Sequence, residues 1–189
     1  MFLSVVTRTH PKPVDYLALN QASLRGQQDP DYEQIVIRDE VGMGLAWANR
    51  QFWVHREKTQ GEYVIMLDDD NVLATPHAIT VLKAVTWDAP AAVMFKADVG
   101  PHGVLPSAQS WQERRSIPFQ IDGHCVIVRA DVWRGLIHHF AVDVRGDAAF
   151  LAELLAPGAY RVEWVNAVLV RALRVGSLNW ESETAWQAT

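Results

Sequence analysis

Short apolar runs alternate with helix-like stretches along the first half of the chain. "FLSVVT" (2–7) is apolar and β-branched, and "RTHPKP" follows with two prolines that forbid a regular strand beyond it, so a first strand ending near Thr7 is predicted. Residues 14–27 put Tyr16 or Leu17, Leu19 or Asn20, Ser23 and Leu24 on one helical stripe, broken by "QQDPD". "EQIVIRDE" is a second apolar run with a polar end, and a helix candidate begins after Gly44. "EYVIMLDDDNVL" supplies the next strand, and "TPHAITVLKAVTW" opens a helix with Thr75 as N-cap and Pro76 at its first position. This alternation predicts an α/β domain with a largely parallel sheet.

After Trp87 the pattern changes. "AAVMFKADV" is strand-like, whereas residues 100–118 carry Gly100, Pro101, Gly103, Pro106 and Pro118 with few apolar runs and are predicted to be a long loop. "FQIDGHCVIVRADVWRGLI" predicts a strand and a following helix, "DAAFLAELLAPG" a short helix, and "YRVEWVNAVLVRAL" one or two strands.

Composition narrows the function classes. The chain has 189 residues, 49% of them hydrophobic, enough for one domain with a sizeable core. A net charge of -5 and no Lys/Arg-rich run argue against general nucleic-acid binding, which needs a basic face. The lone Cys125 excludes an internal disulfide and a cysteine zinc cluster and suits a reducing, cytoplasmic compartment. "MFLSVVTRTH" lacks a basic n-region and the length of a span, so no leader or transmembrane segment is predicted there.

The chemistry concentrates at predicted strand ends. "TRTH", "RDE" and "DDDN" all fall beyond carboxyl ends of strands, where open α/β sheets bind ligands. Asp68, Asp69 and Asp70 follow five apolar residues directly, and neighbouring like charges need a reason to be held together. A solvated turn is one explanation. A calcium loop fails on spacing, with no Gly at the sixth position and no Glu at the twelfth. A site for Mg²⁺ or Mn²⁺ fits better, since such ions take one or two carboxylates and complete their shell with water and phosphate oxygens. That implies a phosphorylated ligand.

The ordered set of segments resembles the GT-A glycosyltransferases of the inverting family 2 class. "FLSVVTRTH" resembles the first strand and nucleotide loop, "EQIVIRDE" the second strand ending in an acid, and "GLAWANR" the helix region that follows. "YVIMLDDDN" resembles the Asp-x-Asp strand, "GHCVIVRADVW" the acceptor-side strand and helix, and "GDAAFLAEL" the helix carrying the catalytic acid. The resemblance implies a single GT-A domain over residues 1–189, Rossmann-like, with a mostly parallel sheet flanked by helices. Residues 1–87 would form the nucleotide-binding half and 88–189 the acceptor-side half.

It further implies a nucleotide-diphosphate sugar as donor, Mn²⁺ or Mg²⁺ as cofactor and inversion at the sugar. Asp70 is then the metal ligand, with Asp68 sharing the metal or turned to the ribose beside Asp69, and Asp39 bonding the base or ribose. Thr7, Arg8 and Thr9 would line the nucleotide pocket, approached by Asn49. Asp147 would be the general base that takes the acceptor hydroxyl proton. Gly146 stands where the family usually has Glu, and Asp143 is the nearby substitute. Arg171 or Arg174 would touch the diphosphate, Asn179 or His102 would complete the metal shell in place of a C-terminal histidine, and His124 and Trp111 would face the acceptor. The acceptor, a hydroxyl of a saccharide, lipid, protein or modified nucleobase, would be recognised by the 100–118 loop, a partner chain or a homo-oligomer interface.

Two other classes stay open on the residues alone. "DDDNV" matches the nucleophile string of HAD-like phosphohydrolases, with Asp68 as nucleophile and Asp147 as a later metal acid, although two βα units precede it and Leu151 falls where a second acid belongs. A non-catalytic nucleotide-sugar-binding protein on the same scaffold would follow from loss of the base.

Overall fold

The computed structural model of the chain describes residues 1–118, 120–141 and 145–173. The strands are β1 (Leu3–Thr9), β2 (Tyr32–Arg38), β3 (Tyr63–Met66), β4 (Asn71–Leu73), β5 (Ala92–Asp98), β6 (Val104–Leu105), β7 (Val126–Arg129) and β8 (Val162–Ala172). The helices are α1 (Tyr16–Arg25), α2 (Leu45–Val54), α3 (Ala78–Val85), α4 (Ala108–Glu113), α5 (Ala130–Leu136) and α6 (Gly146–Leu154).

One eight-stranded sheet runs in the order β2-β1-β3-β7-β5-β8-β4, with β6 added to β5. β1 pairs in parallel with β2 and β3, and β5 with β8, while β7 runs against both β3 and β5. Strands β1, β2, β3, β5 and β8 thus share a direction, and the short β4 and β6 are reversed. The sheet is mixed α/β with a parallel majority, and the reversed direction of β7 is what the sequence pattern does not announce.

Central position explains the composition of the strands. β3 lies between β1 and β7, so Tyr63, Val64, Ile65 and Met66 are all buried, as a strand covered on both faces requires. β1 continues to Thr9, two residues past its apolar run, because its partner β2 is in register to Arg38. Pro11 and Pro13 then end it.

Two local expectations change. α3 begins at Ala78 rather than Pro76, because the Thr75 hydroxyl accepts from the His77 N–H at 3.2 Å and forms a turn one residue before the His77 cap. Residues 100–118 are a folded excursion and not a bare loop. β6 pairs with β5 through Ala97 and Asp98, and Ser107 caps α4 by accepting from Ser110 N at 3.1 Å. Trp111 of α4 meets Trp164 of β8 edge-on at 5.1 Å with Lys96 Nζ 5.0 Å from its ring, so this tryptophan is a packing residue.

Candidate active site

The carboxyl ends of β1, β2 and β3 meet on one edge of the sheet, and the acidic run forms the turn between β3 and β4. Its backbone is tied from several sides. Leu67 N–H donates to Val6 O (3.0 Å), Asp69 N–H to Arg8 O (3.1 Å), Asn71 N–H to Asp68 O (2.9 Å) and Leu173 N–H to Asp70 O (2.7 Å). Asn20 of α1 donates to the carbonyls of Asp68 (3.2 Å) and Asn71 (2.7 Å). Three like charges can be held in one turn because main-chain bonds, already formed, fix it.

Each carboxylate has a different environment. Asp68 receives a bidentate pair from Arg8, Nε to Oδ1 at 2.7 Å and the second guanidinium nitrogen to Oδ2 at 2.5 Å. Both oxygens are therefore engaged, which disfavours Asp68 as a phosphohydrolase nucleophile. Asp69 accepts from the Thr9 hydroxyl at 2.7 Å and from the Lys12 ammonium. Asp70 has Lys12 at 3.6 Å and accepts a long bond from Asn71 Nδ2 at 3.3 Å. Burial, with the charges of Asp68 and Asp69, raises the Asp70 pKa against the pull of Lys12.

A hard divalent cation fits this turn in one way. Among the described residues no three His, Cys, Asp or Glu side chains are grouped to cage a metal. Asp70 is a desolvated carboxylate with weak compensation, and beside it Asn71 Oδ1 is a buried acceptor without a hydrogen-bond partner. Oxygen donors in small number, with the shell finished by water and phosphate, are what Mg²⁺ and Mn²⁺ accept.

Beside the acids, Thr9, Lys12, Tyr16, Arg38, Asp39 and Asp69 line a cavity of about 360 Å³. Asp39 uses its side chain locally: Oδ1 accepts from the Gly42 N–H at 2.9 Å and Oδ2 from the Met43 N–H at 2.6 Å. Those bonds hold the loop in which Gly42 and Gly44 adopt φ of +71° and +87°. Thr7, expected on the pocket wall, is fully buried; its hydroxyl accepts from Gln34 Nε2 (2.9 Å), which also donates to Asn20 Oδ1 (2.8 Å). Thr7 shares a strand face with Thr9, two residues on, but it is closed off from the pocket by Gln34 and its partner Asn20. Asn49, expected to approach the nucleotide, is buried and accepts from Arg8 at 2.5 Å, while Phe52 lies under the guanidinium at 4.4 Å. Helix α2 braces Arg8.

A second pair of acids lies within electrostatic reach of Arg8. Asp147 stands in the first turn of α6, and Asp122 precedes the 3₁₀ turn Gly123–Cys125. Burial and the nearby Asp122 charge push Asp147 up to about 6, against the Ala148 N–H, Arg8 and His124. Burial would raise Asp122 as well, but His124, whose Nδ1 is 2.9 Å from its Oδ1, outweighs it with Arg8 and holds Asp122 at about 2. His124 is raised in turn by Asp122, although burial opposes its charge. Burial opposes the Arg8 charge, but Asp68, Asp122 and Asp147 all favour it, so Arg8 is the cation that both acid groups share.

Gly146 has a steric reason. A Cβ there would fall 2.2 Å from the Phe140 carbonyl oxygen, which leaves no room for the Glu of the resemblance. Arg171 forms an ion pair with Asp98 at 3.2 Å, and His102 ends the 3₁₀ turn Gly100–His102. Asp143, Arg174 and Asn179 lie outside the described residues. Sequence reasoning missed Asp122, Lys12 and the bracing of Arg8. Lys12 and Asp122 stood in quoted segments, but neither carries a periodic or motif signal.

No protein-family model matches the chain, and no curated protein sequence matches it. Solved structures do. S. aureus TarS 1–349 in complex with UDP-GlcNAc superposes with a TM-score of 0.68 at 14% identity, over 91% of this chain and 58% of that one. The mannosyltransferase PcManGT from Pyrobaculum calidifontis, in complex with GDP-Man and Mn²⁺, gives 0.60 at 14% identity over 98% of this chain and 59% of that one. A197 from STIV gives 0.52 at 10% identity, covering 88% and 82%. The chain thus spans somewhat under three fifths of the first two structures. The likeness is one of fold: a mixed α/β sheet flanked by helices, as in glycosyltransferases. No helix among the described residues is long and apolar enough to cross a membrane.

Proposed function

We propose that the chain is a glycosyltransferase domain that moves a sugar from a nucleoside-diphosphate donor to a hydroxyl acceptor with inversion. The observation that carries the reading is the convergence, around Arg8, of the acid turn beside its cavity and of Asp147 with a pKa near neutrality. Nucleotide-sugar and Mn²⁺ complexes among the fold's neighbours add support. In this reading residues 1–87, with the cavity and the acid turn, serve as the donor half, and residues 88–189, with Asp147, as the acceptor half.

In this reading the nucleoside occupies the cavity bounded by Thr9, Tyr16, Asp39 and Asp69. Asp70, with Asn71 beside it, holds a Mn²⁺ or Mg²⁺ ion. That ion, when bound, offsets the negative charge that grows on the departing diphosphate. Arg8 keeps Asp68 oriented rather than binding donor itself. Asp147 takes the proton of the acceptor hydroxyl as that oxygen bonds to the anomeric carbon, and the nucleoside diphosphate leaves with the electron pair of the broken C–O bond. A carboxylate near 6 is ionised at neutral pH yet basic enough to share that proton.

The test is calorimetry with UDP, GDP and their sugars, with and without Mn²⁺. Binding of a nucleoside diphosphate that Mn²⁺ tightens, and that Asp70→Ala loosens at least tenfold, is expected. Indifference to every nucleotide and nucleotide sugar rejects the reading.

A further inference from the structure

Lys12 lies between the two prolines that end β1, in a stretch where nothing in the hydrophobic pattern marks it. Its side chain is nonetheless only 9% exposed. The ammonium contacts Asp69, stands 3.6 Å from Asp70 Oδ2 and lies on the wall of the cavity. It therefore occupies the seam between the space assigned to the nucleoside and the carboxylate assigned to the metal.

Charge shows what it does there. Three carboxylates, Asp68, Asp69 and Asp70, face two cations, Arg8 and Lys12, which leaves a formal charge of -1. Arg8 is committed: its fork is closed on Asp68 and Asn49, with Phe52 beneath it. Lys12 is the adjustable member, a point charge with three donors on a flexible stem and a loose hold on Asp70. Two cations cannot both press on Asp70 without repelling one another, and a diphosphate adds negative charge beside them.

We infer that Lys12 is an exchangeable cation: it balances Asp69 and Asp70 in the empty site, yields Asp70 to an arriving divalent ion, and gives its ammonium to the diphosphate of the donor. This rests on the donor reading above and adds to it a sign. Lys12 opposes metal binding and favours diphosphate binding, whereas a merely structural lysine would help both or neither.

The experiment uses the whole chain, with Mn²⁺ alone, UDP and GDP as probes in calorimetry, for the parent, Lys12→Met and Lys12→Arg. Lys12→Met is expected to bind Mn²⁺ about threefold to tenfold tighter while binding the nucleoside diphosphate about tenfold weaker in EDTA. Lys12→Arg, which keeps the charge, is expected to retain metal-free diphosphate binding to within about threefold and guards against reading misfolding as lost affinity. Affinities for metal and diphosphate that both stay unchanged, or that both fall, in Lys12→Met overturn the inference while leaving the donor reading intact. A parent chain that binds no nucleoside diphosphate under any condition removes both.

Discussion

Two groups of aspartates flank Arg8, and they are held in opposite ways. In the turn after β3, Asp68 and Asp69 are each matched by a cation, Arg8 or Lys12, so these acids are anchored in ion pairs. Across Arg8, Asp122 is matched by His124 and Asp147 is not, so one carboxyl sits at about 2 and the other at about 6. The same side chain is an anchored charge in one group and a carboxyl of raised pKa in the other, and the difference is made by neighbours rather than by residue type. Breaking each side should therefore produce effects of different kinds.

The largest is expected at Asp147. Asp147→Asn should lower transfer about 10³-fold, within the range for loss of a general base, while nucleoside diphosphate affinity stays within about twofold in a parallel titration. The same variant should be more stable than the parent at pH 8. A carboxyl whose folded pKa is raised is favourable while protonated, and that contribution is lost as pH rises through about 6. Removing the charge should recover up to about 2 kcal/mol at pH 8 and nothing below about pH 4, as read from urea denaturation. Full turnover in the variant would move the base elsewhere.

Next comes Arg8, whose loss strikes the anchored side. Arg8→Met leaves Asp68 unpaired, and a cost of about 2–3 kcal/mol is expected. The full figure for a buried pair is not reached because the Asp68 side chain keeps 32% of its surface in solvent. The double variant with Asp68→Asn should regain more than half of that loss. If the double variant is as unstable as the single, packing on Phe52 rather than charge explains the role of Arg8.

The two sides also differ in how legible they were. The acid run announced itself, since five buried residues leading into three carboxylates is a pattern visible in one window, and β1, β2 and β3 followed from apolar runs of strand length. The Asp122 and Asp147 side depended on topology. β7 enters between β3 and β5 in the reverse sense, which brings Asp122 and His124 to Arg8, and no local periodicity encodes that insertion. Asp147 was singled out by likeness alone, and the packing of Gly146 against Phe140 explains a departure that the residue letters left open. Thr7 and Asn49 were sorted to the pocket by sequence proximity, whereas burial under Gln34 and the pairing of α2 with Arg8 take them into the networks of those two residues.

The smallest effect tests whether the pair across Arg8 is coupled. Asp122→Asn removes a negative charge that raises Asp147, so the acidic limb of kcat/KM should move down from about 6. His124 faces Asp147 too, and without Asp122 it loses the partner that keeps it charged, so its own pull on Asp147 weakens in the opposite sense. Arg8 is unchanged by the substitution and continues to lower Asp147. Because Asp122 acts on Asp147 more strongly than His124 does, the net shift should be downward and less than about one pH unit, with the plateau rate altered less than about tenfold. A limb that does not move would mean that burial alone sets the basicity of Asp147, and that Asp122 serves only to hold His124.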